Sequence, residues 1–333
     1  MFGHEAPIVG KRPAYGTDGG TRWHGITRNP WIPIAIASLT WGSAPAATKA
    51  VLLNGVSPFT IFPLKQVGGA LMVISALALV GRLPRIDPAT LKAGVVIGIF
   101  NMTVPTILFT LGFETIPASI GAVIVGIIPL TTIVFSHWVV PGERFRAGRL
   151  PGLLMGLFGV AIMGWAPVGQ PSSRWVLGVV LTTLGAACAG LGGAFTRRFA
   201  VRYQNRSLIV VQFITSAALL SLISIPFDGY AGYLTIDAAS LWLIIYMAAV
   251  PTVISFAAFM WASRIATAAR AALIGYLVPV LGAMGGVALL SEPVTLQLIV
   301  GVVAVAVGVV FSDRPDREDD RQRRAAARTT PRY

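Results

Sequence analysis

The chain has 333 residues, of which 55% are hydrophobic and only 12% are charged. A soluble domain carries roughly 25% charged residues, so this composition excludes a soluble protein and indicates an integral membrane protein. The single cysteine, Cys188, excludes a disulfide framework or a cysteine-based metal cluster within the chain.

Ten apolar segments follow a polar N-terminal stretch, 1–30, and precede a charged tail, 313–333. We expect both ends to be disordered. Each segment supplies about 17–23 residues, which as a helix suffices to cross ~30 Å of hydrocarbon. The runs are long and do not alternate, so helices are favoured over strands. The segments are 31–53, 59–80, 93–113, 118–140, 150–166, 175–195, 207–227, 240–261, 268–290 and 294–312.

The net charge of +13 follows from basic residues that lie almost entirely on one side of these segments. With a cytoplasmic N-terminus, 23 of the 26 fall in cytoplasmic segments; Arg174 alone lies in an outer loop, and Lys49 and Lys65 lie within helices. This asymmetry obeys the positive-inside rule and predicts that both termini are cytoplasmic. The charge is therefore an orientation signal, with contact to anionic membrane lipids as a secondary role, and we expect no nucleic-acid partner.

The two halves of the chain carry prolines and glutamates in the same order. Pro129 and Glu143 recur as Pro279 and Glu292, at shifts of 150 and 149 residues. Upstream, a Val-Pro-Thr triplet recurs at a shift of 146 residues, as Val104-Pro105-Thr106 and Val250-Pro251-Thr252. This repetition indicates an internal duplication of about half the chain.

Each repeat has five helices, an odd number, so the second repeat enters the membrane inverted. The sequence therefore predicts an all-α membrane protein with ten transmembrane helices in two inverted five-helix repeats, 31–166 and 175–312. In secondary transporters of this design the substrate site lies between the repeats, near the bilayer midplane.

Four of the segments carry recognisable motifs. The first segment carries WGSAPAATK at 41–49, followed by Pro58 and a basic residue, Lys65. The fourth and ninth segments each have an apolar stretch around a proline and end in a glutamate, preceded by Gly142 or Ser291. In this order, over about 31–312, the motifs resemble those of the EamA-type, ten-helix transporters of the drug/metabolite transporter superfamily.

This resemblance implies secondary transport of a small metabolite, amino-acid-like or otherwise amphiphilic, by alternating access between the repeats. It favours an exporter in the inner (cytoplasmic) membrane of a bacterium. The Ala- and Arg-rich, Lys-poor composition is compatible with a GC-rich bacterial genome. Importing a nucleotide-like or carboxylate substrate is an alternative, as is a membrane scaffold or receptor that transports nothing.

Four residues are candidates for binding the substrate: Lys65, Trp41, Asn101 and Tyr276. A lysine at membrane depth costs roughly 2.5–3.5 kcal/mol, so Lys65 should face a cavity or a partner. Its alternative role is to pin two helices together. Trp41 and Tyr276 suit a cavity wall or bundle packing, and Asn101 suits a substrate contact or a bond between helices. Lys49, nearer the outer end of its helix, is expected to extend to the interface.

Other residues suit a moving or assembling structure. Glu114 is a candidate for coupling to a proton or another ion, and Glu143 and Glu292 are candidate latches, although Glu143 also suits an ion pair with Arg144 or Arg146. Small residues every four positions suit close packing on a neighbouring helix or a second protomer in a homodimer; they are Gly148, Gly152 and Gly156. The candidate hinges are helix-internal prolines: Pro45, Pro105, Pro129, Pro251 and Pro279.

The sequence offers little for enzyme chemistry. Its three histidines are far apart, and neither an HExxH motif nor a P-loop is present. We therefore expect no catalytic residues, no metal and no cofactor, and ATP is excluded as the direct energy source.

Overall fold

The structure is a computed structural model that describes residues 29–143, 148, 150–164, 173–228, 231–265 and 268–312. The two predicted disordered tails lie outside these ranges, apart from residues 29 and 30. All regular structure within them is helical. The helices are α1 (Trp31–Leu53), α2 (Pro58–Leu79), α3 (Pro88–Ile97), α4 (Val104–Thr115), α5 (Ala118–Val125), α6 (Ile128–Val139), α7 (Leu150–Gly164), α8 (Ser173–Ala200), α9 (Asn205–Asp228), α10 (Ala231–Leu234), α11 (Ala238–Ala248), α12 (Ser255–Ile265), α13 (Ala268–Leu290) and α14 (Leu296–Ser312).

Seven helical stretches among the described residues are long and apolar enough to cross a membrane. Two shorter apolar helices lie within α7 and α14, and α1 is a further helix of 23 residues. The chain is therefore a multi-pass membrane protein. The seven stretches are Pro58–Leu79, Pro88–Thr115, Ala118–Val139, Arg174–Ala200, Asn205–Asp228, Ala238–Ala262 and Leu273–Leu290.

Local sequence accounts for where several helices begin. The side chain of Ser57 accepts a hydrogen bond from the N–H of Phe59 at the start of α2. Asp87 caps α3 in the same way, and Asp237 caps α11. Such caps satisfy N–H groups that have no partner within the helix. After α1, Gly55 adopts a left-handed conformation with φ of 80°, which ends the helix as a C-terminal glycine does.

Three of the predicted segments are interrupted in ways that the sequence analysis did not anticipate. Two π-helical segments, Gly98–Thr103 and Ala249–Ile254, break the third and the eighth. The fourth divides into α5 and α6, and the break immediately precedes Pro129. A proline cannot donate a helical hydrogen bond and its ring clashes with the preceding turn, so the ladder is disrupted close to Pro105, Pro251 and Pro129.

Helix contacts follow the same plan in both halves. α1 packs on α13, and α8 packs on α5 and α6. α4 packs on α8, and α12 packs on α1. Further large contacts join α2 to α9, α7 to α14 and α5 to α13. Every one of these pairs joins a helix of 31–166 to a helix of 175–312.

The two ends of the bundle are identified by the hydrogen bonds across them. We call the end that carries the α1–α2 loop, 54–57, the loop-1 end. There Asn54 bonds to Ser240, and Thr60 donates to Asp228 at 2.8 Å. At the opposite end, where α1 begins, loops and helix ends after α2, α6 and α8 meet.

The glycine stripe of α7 packs within the chain. A β-carbon on Gly156 would overlap the side chain of Leu130. A β-carbon on Gly308 of α14 would lie 2.6 Å from the carbonyl oxygen of Gly152 and 2.7 Å from the backbone nitrogen of Gly156. The close neighbour that the spacing predicts is therefore α14, together with α6.

Candidate functional site

Two side-chain hydrogen bonds join α2 and the first π-helical segment to α9. Gln66 Nε2 donates to Ser216 Oγ at 2.8 Å, and Asn101 Nδ2 donates to Gln212 Oε1 at 3.3 Å. Gln66, Ser216 and Gln212 are buried, where an unpaired amide is costly. Asn101 therefore serves helix packing, one of its two predicted roles; its contact with a substrate stays a prediction.

Lys65 lies half-buried on α2. Within the described part of the chain its ammonium makes no hydrogen bond or ion pair. Gly68 and Gly69 follow one turn later on the same helix face, and β-carbons there would lie 3.1 Å from Ala248 and 3.2 Å from the ring of Phe213, respectively. The face of α2 that carries Lys65 is thus directed toward α9 and α11.

Aromatic rings extend from α1 to α9 beside this face. Trp41 makes an edge contact with Phe256 at 5.7 Å between ring centroids, and a tilted contact with Phe259 at 5.5 Å. Phe256 in turn meets Phe213 edge-on at 6.2 Å. Trp41 therefore packs in the bundle, at one end of an aromatic wall. The side chain of Tyr276 lies outside the described part of the structure.

The second π-helical segment satisfies the carbonyl that its proline releases. Pro251 cannot donate to the carbonyl of Met247, four residues earlier. Thr252 Oγ1 donates to that oxygen instead, at 2.7 Å. Thr252 thus binds the carbonyl five residues before it. In the first π-helical segment, Thr103 Oγ1 also donates to the carbonyl five residues earlier, that of Gly98, at 3.0 Å. Hydroxyl groups thus stabilise both interruptions.

The candidate hinge prolines of the fourth and ninth segments meet each other's helices. A β-carbon on Gly126 would lie 2.8 Å from Cβ and Cγ of Pro279. A β-carbon on Gly275 would lie 3.1 Å from Cγ of Pro129. The shifts that relate the prolines and the glycines are 150 and 149 residues, so the contact is reciprocal between equivalent positions. Hinge motion at these prolines stays a prediction.

At the loop-1 end, Glu292 caps a helix that lies far from it in sequence. The N-cap residue of α5 is Pro117, whose side chain makes no capping hydrogen bond. The carboxylate of Glu292 accepts from the N–H of Ala118 at 2.6 Å and from that of Ser119 at 2.8 Å. Gly286 leaves room for this, since a β-carbon there would lie 2.5 Å from the carboxylate.

Lys49 binds the helix end on the other side of the same turn. Its ammonium donates to the carbonyl oxygens of Phe113 at 2.7 Å and Glu114 at 3.3 Å. The expectation that Lys49 extends freely to the interface is therefore incomplete, because the carbonyls at the end of α4 hold it. The Glu114 side chain is exposed. A cavity of about 360 Å³ lies here, lined by Lys49, Leu52, Leu53, Gly55, Val56, Ser57, Pro58 and Glu114.

At the opposite end, Glu143 pairs with α8. Arg197 donates to its carboxylate at 2.6 Å, and both side chains are partly exposed. Next to this pair, Arg198 donates to the carbonyl of Val139 at 3.2 Å. Glu143 thus forms an ion pair, although with Arg197; Arg144 and Arg146, which the sequence suggested as partners, lie outside the described residues.

No three His, Cys, Asp or Glu side chains come together as metal ligands within the ranges that the structure describes. The charged residues Lys49, Glu292 and Arg198 bind the backbone at helix ends instead. In the same ranges one buried side-chain polar atom, Ser136 Oγ, has no hydrogen-bond partner. No pattern in the sequence indicates the backbone contacts of Lys49, Glu292 and Arg198, because the identity of a residue does not show which side chain its backbone groups bind.

Known proteins resemble this chain in sequence. The chain matches the EamA-like transporter family over 31–165 and again over 176–312. It is 26% identical over 282 residues to the "Uncharacterized transporter YvbV" of Bacillus subtilis (strain 168), covering 83% of this chain and 88% of that protein. It is 26% identical over 183 residues to the "Probable amino-acid metabolite efflux pump" of Escherichia coli (strain K12), covering 51% and 59%.

A solved crystal structure superposes with a TM-score of 0.61 at 20% identity, covering 85% of this chain and 96% of that one. At this identity the likeness shows a shared fold. The family match covers two stretches, one in each half of the chain, as the sequence repeat predicts. The relatives are transporters and not enzymes. The chain belongs to the EamA-like transporter family.

Proposed function

We propose that this protein is a secondary active transporter built from ten transmembrane helices in two inverted five-helix repeats, 31–166 and 175–312. The two repeats rock against each other, so that a central site opens alternately to either side of the membrane. The reciprocal contact of Gly126 with Pro279 and of Gly275 with Pro129 carries this proposal. Such an exchange of partners is what a two-fold relation between the repeats produces.

The helix contacts support the same two-fold relation. Exchanging the halves turns the packing of α1 on α13 into that of α8 on α5 and α6. It turns each of the pairs α2–α9, α7–α14 and α5–α13 into itself. Each of these pairs therefore lies across the two-fold axis that we propose between the repeats.

The charges support an orientation with the loop-1 end outside the cell. Arg82, Arg85 and Lys92 follow α2, and Arg197 and Arg198 end α8, all at the end opposite to loop 1. A basic end faces the cytoplasm. We infer a bacterial cytoplasmic membrane, with cytoplasmic termini and the fourth and ninth helices pointing in opposite directions.

The substrate class that we propose is a small amphiphilic metabolite with an anionic group, such as an amino acid, moved outward. Lys65 offers an ammonium without a polar partner among the described residues, and Phe213 and Phe256 continue an apolar wall beside it. A desolvated cation attracts an anion strongly. The printed name of the Escherichia coli relative, an amino-acid metabolite efflux pump, points the same way.

Reconstitution tests this proposal. Proteoliposomes loaded with a mixture of radiolabelled amino acids should lose at least one of them faster than protein-free vesicles when a pH gradient is imposed. Lys65→Met should reduce that efflux by at least tenfold, whereas Lys92→Met, a lysine exposed at the opposite end, should not. If the protein inserts into sealed vesicles but moves none of the loaded amino acids, a scaffold or receptor is favoured instead.

A second candidate function, import of a carboxylate or nucleotide-like compound, draws on the same ammonium of Lys65. It differs from the first candidate in the direction of transport and in the class of substrate. Uptake of a dicarboxylate into the same vesicles, without loss of any loaded amino acid, would favour it.

A further inference from the structure

We infer that Glu292 is a gating residue that holds the loop-1 end of the transporter closed by capping the α4–α5 turn across the two repeats, while Lys49 fixes the other side of that turn within the first repeat. We call these contacts of Glu292 and Lys49 the clamp. The inference rests on the proposed function, because closure has a role only if the central site opens alternately. Neither residue needs to touch substrate. They position helices.

The turn exposes two helix ends within four residues. α4 ends at Thr115 and α5 begins at Ala118. The carbonyls at a helix C-terminus carry partial negative charge and the N–H groups at an N-terminus carry partial positive charge. The turn therefore offers a cation site and an anion site side by side.

Lys49 and Glu292 occupy these two sites with matching charge. The ammonium of Lys49 donates hydrogen bonds to the α4 carbonyls of Phe113 and Glu114. The carboxylate of Glu292 accepts hydrogen bonds from two N–H groups of α5. Charge-assisted bonds of this kind contribute more than neutral ones. Glu292 follows α13 and so belongs to the second repeat, whereas the turn belongs to the first.

The chain around Glu292 is shaped for this contact. Ser291 adopts a left-handed conformation with φ of 54°, at the position that Gly142 occupies in the first repeat. A side chain costs free energy in that conformation, yet it directs the following carboxylate back toward α5. Gly286 supplies the space that the carboxylate fills. If α13 moves away from α5, both bonds of Glu292 break and the N-terminus of α5 loses its cap.

The interface between α1 and α13 is closely packed on the side of the clamp that faces away from the loop-1 end. Ala46, one turn before Lys49 on α1, is buried. A β-carbon on Gly285 of α13 would lie 3.6 Å from its own. The test therefore places a cysteine under the clamp by Ala46→Cys, in a background that carries Cys188→Ala, and measures its rate of modification by a cationic, membrane-impermeant methanethiosulfonate in nanodiscs.

We expect slow modification at position 46 in the parent and at least about tenfold faster modification in Glu292→Ala, as follows from losing a charge-assisted hydrogen bond. Gly286→Ala should act alike while leaving every charge in place. Lys92→Met, at an exposed position of the other end, should leave the rate unchanged.

A reporter placed by Ala194→Cys, buried on α8, distinguishes opening from general loosening. An equal rise at positions 46 and 194, or no rise at position 46, would overturn the clamp. Exchanging the charges, with Lys49→Glu and Glu292→Lys together, should not restore slow labelling, because each residue binds backbone and not the other. Restoration would identify an ordinary ion pair.

The labelling does not depend on a substrate, so the two proposals can fail separately. Fast labelling of Glu292→Ala without flux of any compound in wild-type vesicles would keep the clamp and remove the transport assignment. Flux with unchanged labelling would do the reverse.

Discussion

Gly126 faces Pro279 so closely that a β-carbon on the glycine would lie 2.8 Å from the proline ring. Gly126→Ala should therefore destabilise the protein by about 1–3 kcal/mol, the usual cost of overpacking. Gly275→Ala, whose β-carbon would meet Pro129 at 3.1 Å, should cost less. Thermal unfolding in detergent measures both, and equal stability of wild type and Gly126→Ala would show that the helices part freely here.

Ser291 is strained by its left-handed backbone, with φ of 54°. Ser291→Gly removes the steric penalty of the β-carbon and should stabilise the protein by up to about 1 kcal/mol. Ser291→Ala is the matched control, since it keeps the β-carbon and should not stabilise. If glycine lowers the melting temperature, the serine hydroxyl contributes more than the strain costs.

The hydroxyl of Thr252 satisfies the carbonyl that Pro251 leaves without a donor. Thr252→Val keeps the shape and removes the donor, so it should cost about 1–3 kcal/mol for a buried unsatisfied carbonyl. Thr252→Ser keeps the donor and should retain most of the stability. A valine variant as stable as wild type would mean that Met247 finds another partner, such as water.

The hydrogen bond between Gln66 and Ser216 links α2 in the first half of the chain to α9 in the second. A double-mutant cycle with Gln66→Met and Ser216→Ala should give a coupling energy of about 0.6 kcal/mol, up to ~1.7, the range for such bonds in membrane proteins. Unfolding in detergent by a denaturant measures it. A coupling energy near zero would mean that the two side chains act independently.

Asp87 caps α3 outside the membrane. Hydrogen bonds from the backbone and the hydroxyl of Thr90 hold the pKa of its carboxyl below the usual value. The native state thus favours the charged form, so the cap stabilises above the ordinary pKa of about 3.9 and is lost as pH falls through the lower native value. Asp87→Ala should lower the melting temperature at pH 7, and the difference should shrink toward pH 3. A difference that is independent of pH would assign the effect to packing.

The hydrophobic runs were sufficient to predict where helices lie, because the membrane leaves few alternatives to a helix. They could not predict the interruptions. The fourth segment has the composition of one helix, yet it breaks ahead of Pro129, whereas α13 runs unbroken through the equivalent Pro279. A proline weakens a helix in either case, and tertiary contacts decide whether it breaks.

The sequence draws attention to residues whose side chain is unusual for its surroundings. Lys65 and Glu292 are charges in or next to apolar runs, which made them candidates, and their roles stay predictions. The sequence does not show which groups these side chains bind. The carboxylate of Glu292 binds backbone N–H groups 174 and 173 residues away, and any residue but proline could supply them.

The close packing of α7 on α14 limits how two copies of the protein can associate. Gly152 and Gly156 lie against Gly308, so the ridge of small residues that would dock a second molecule is already occupied by the chain's own last helix. Crosslinking between copies through this ridge should fail even in crowded membranes, and any pairing of protomers has to use another lipid-facing surface.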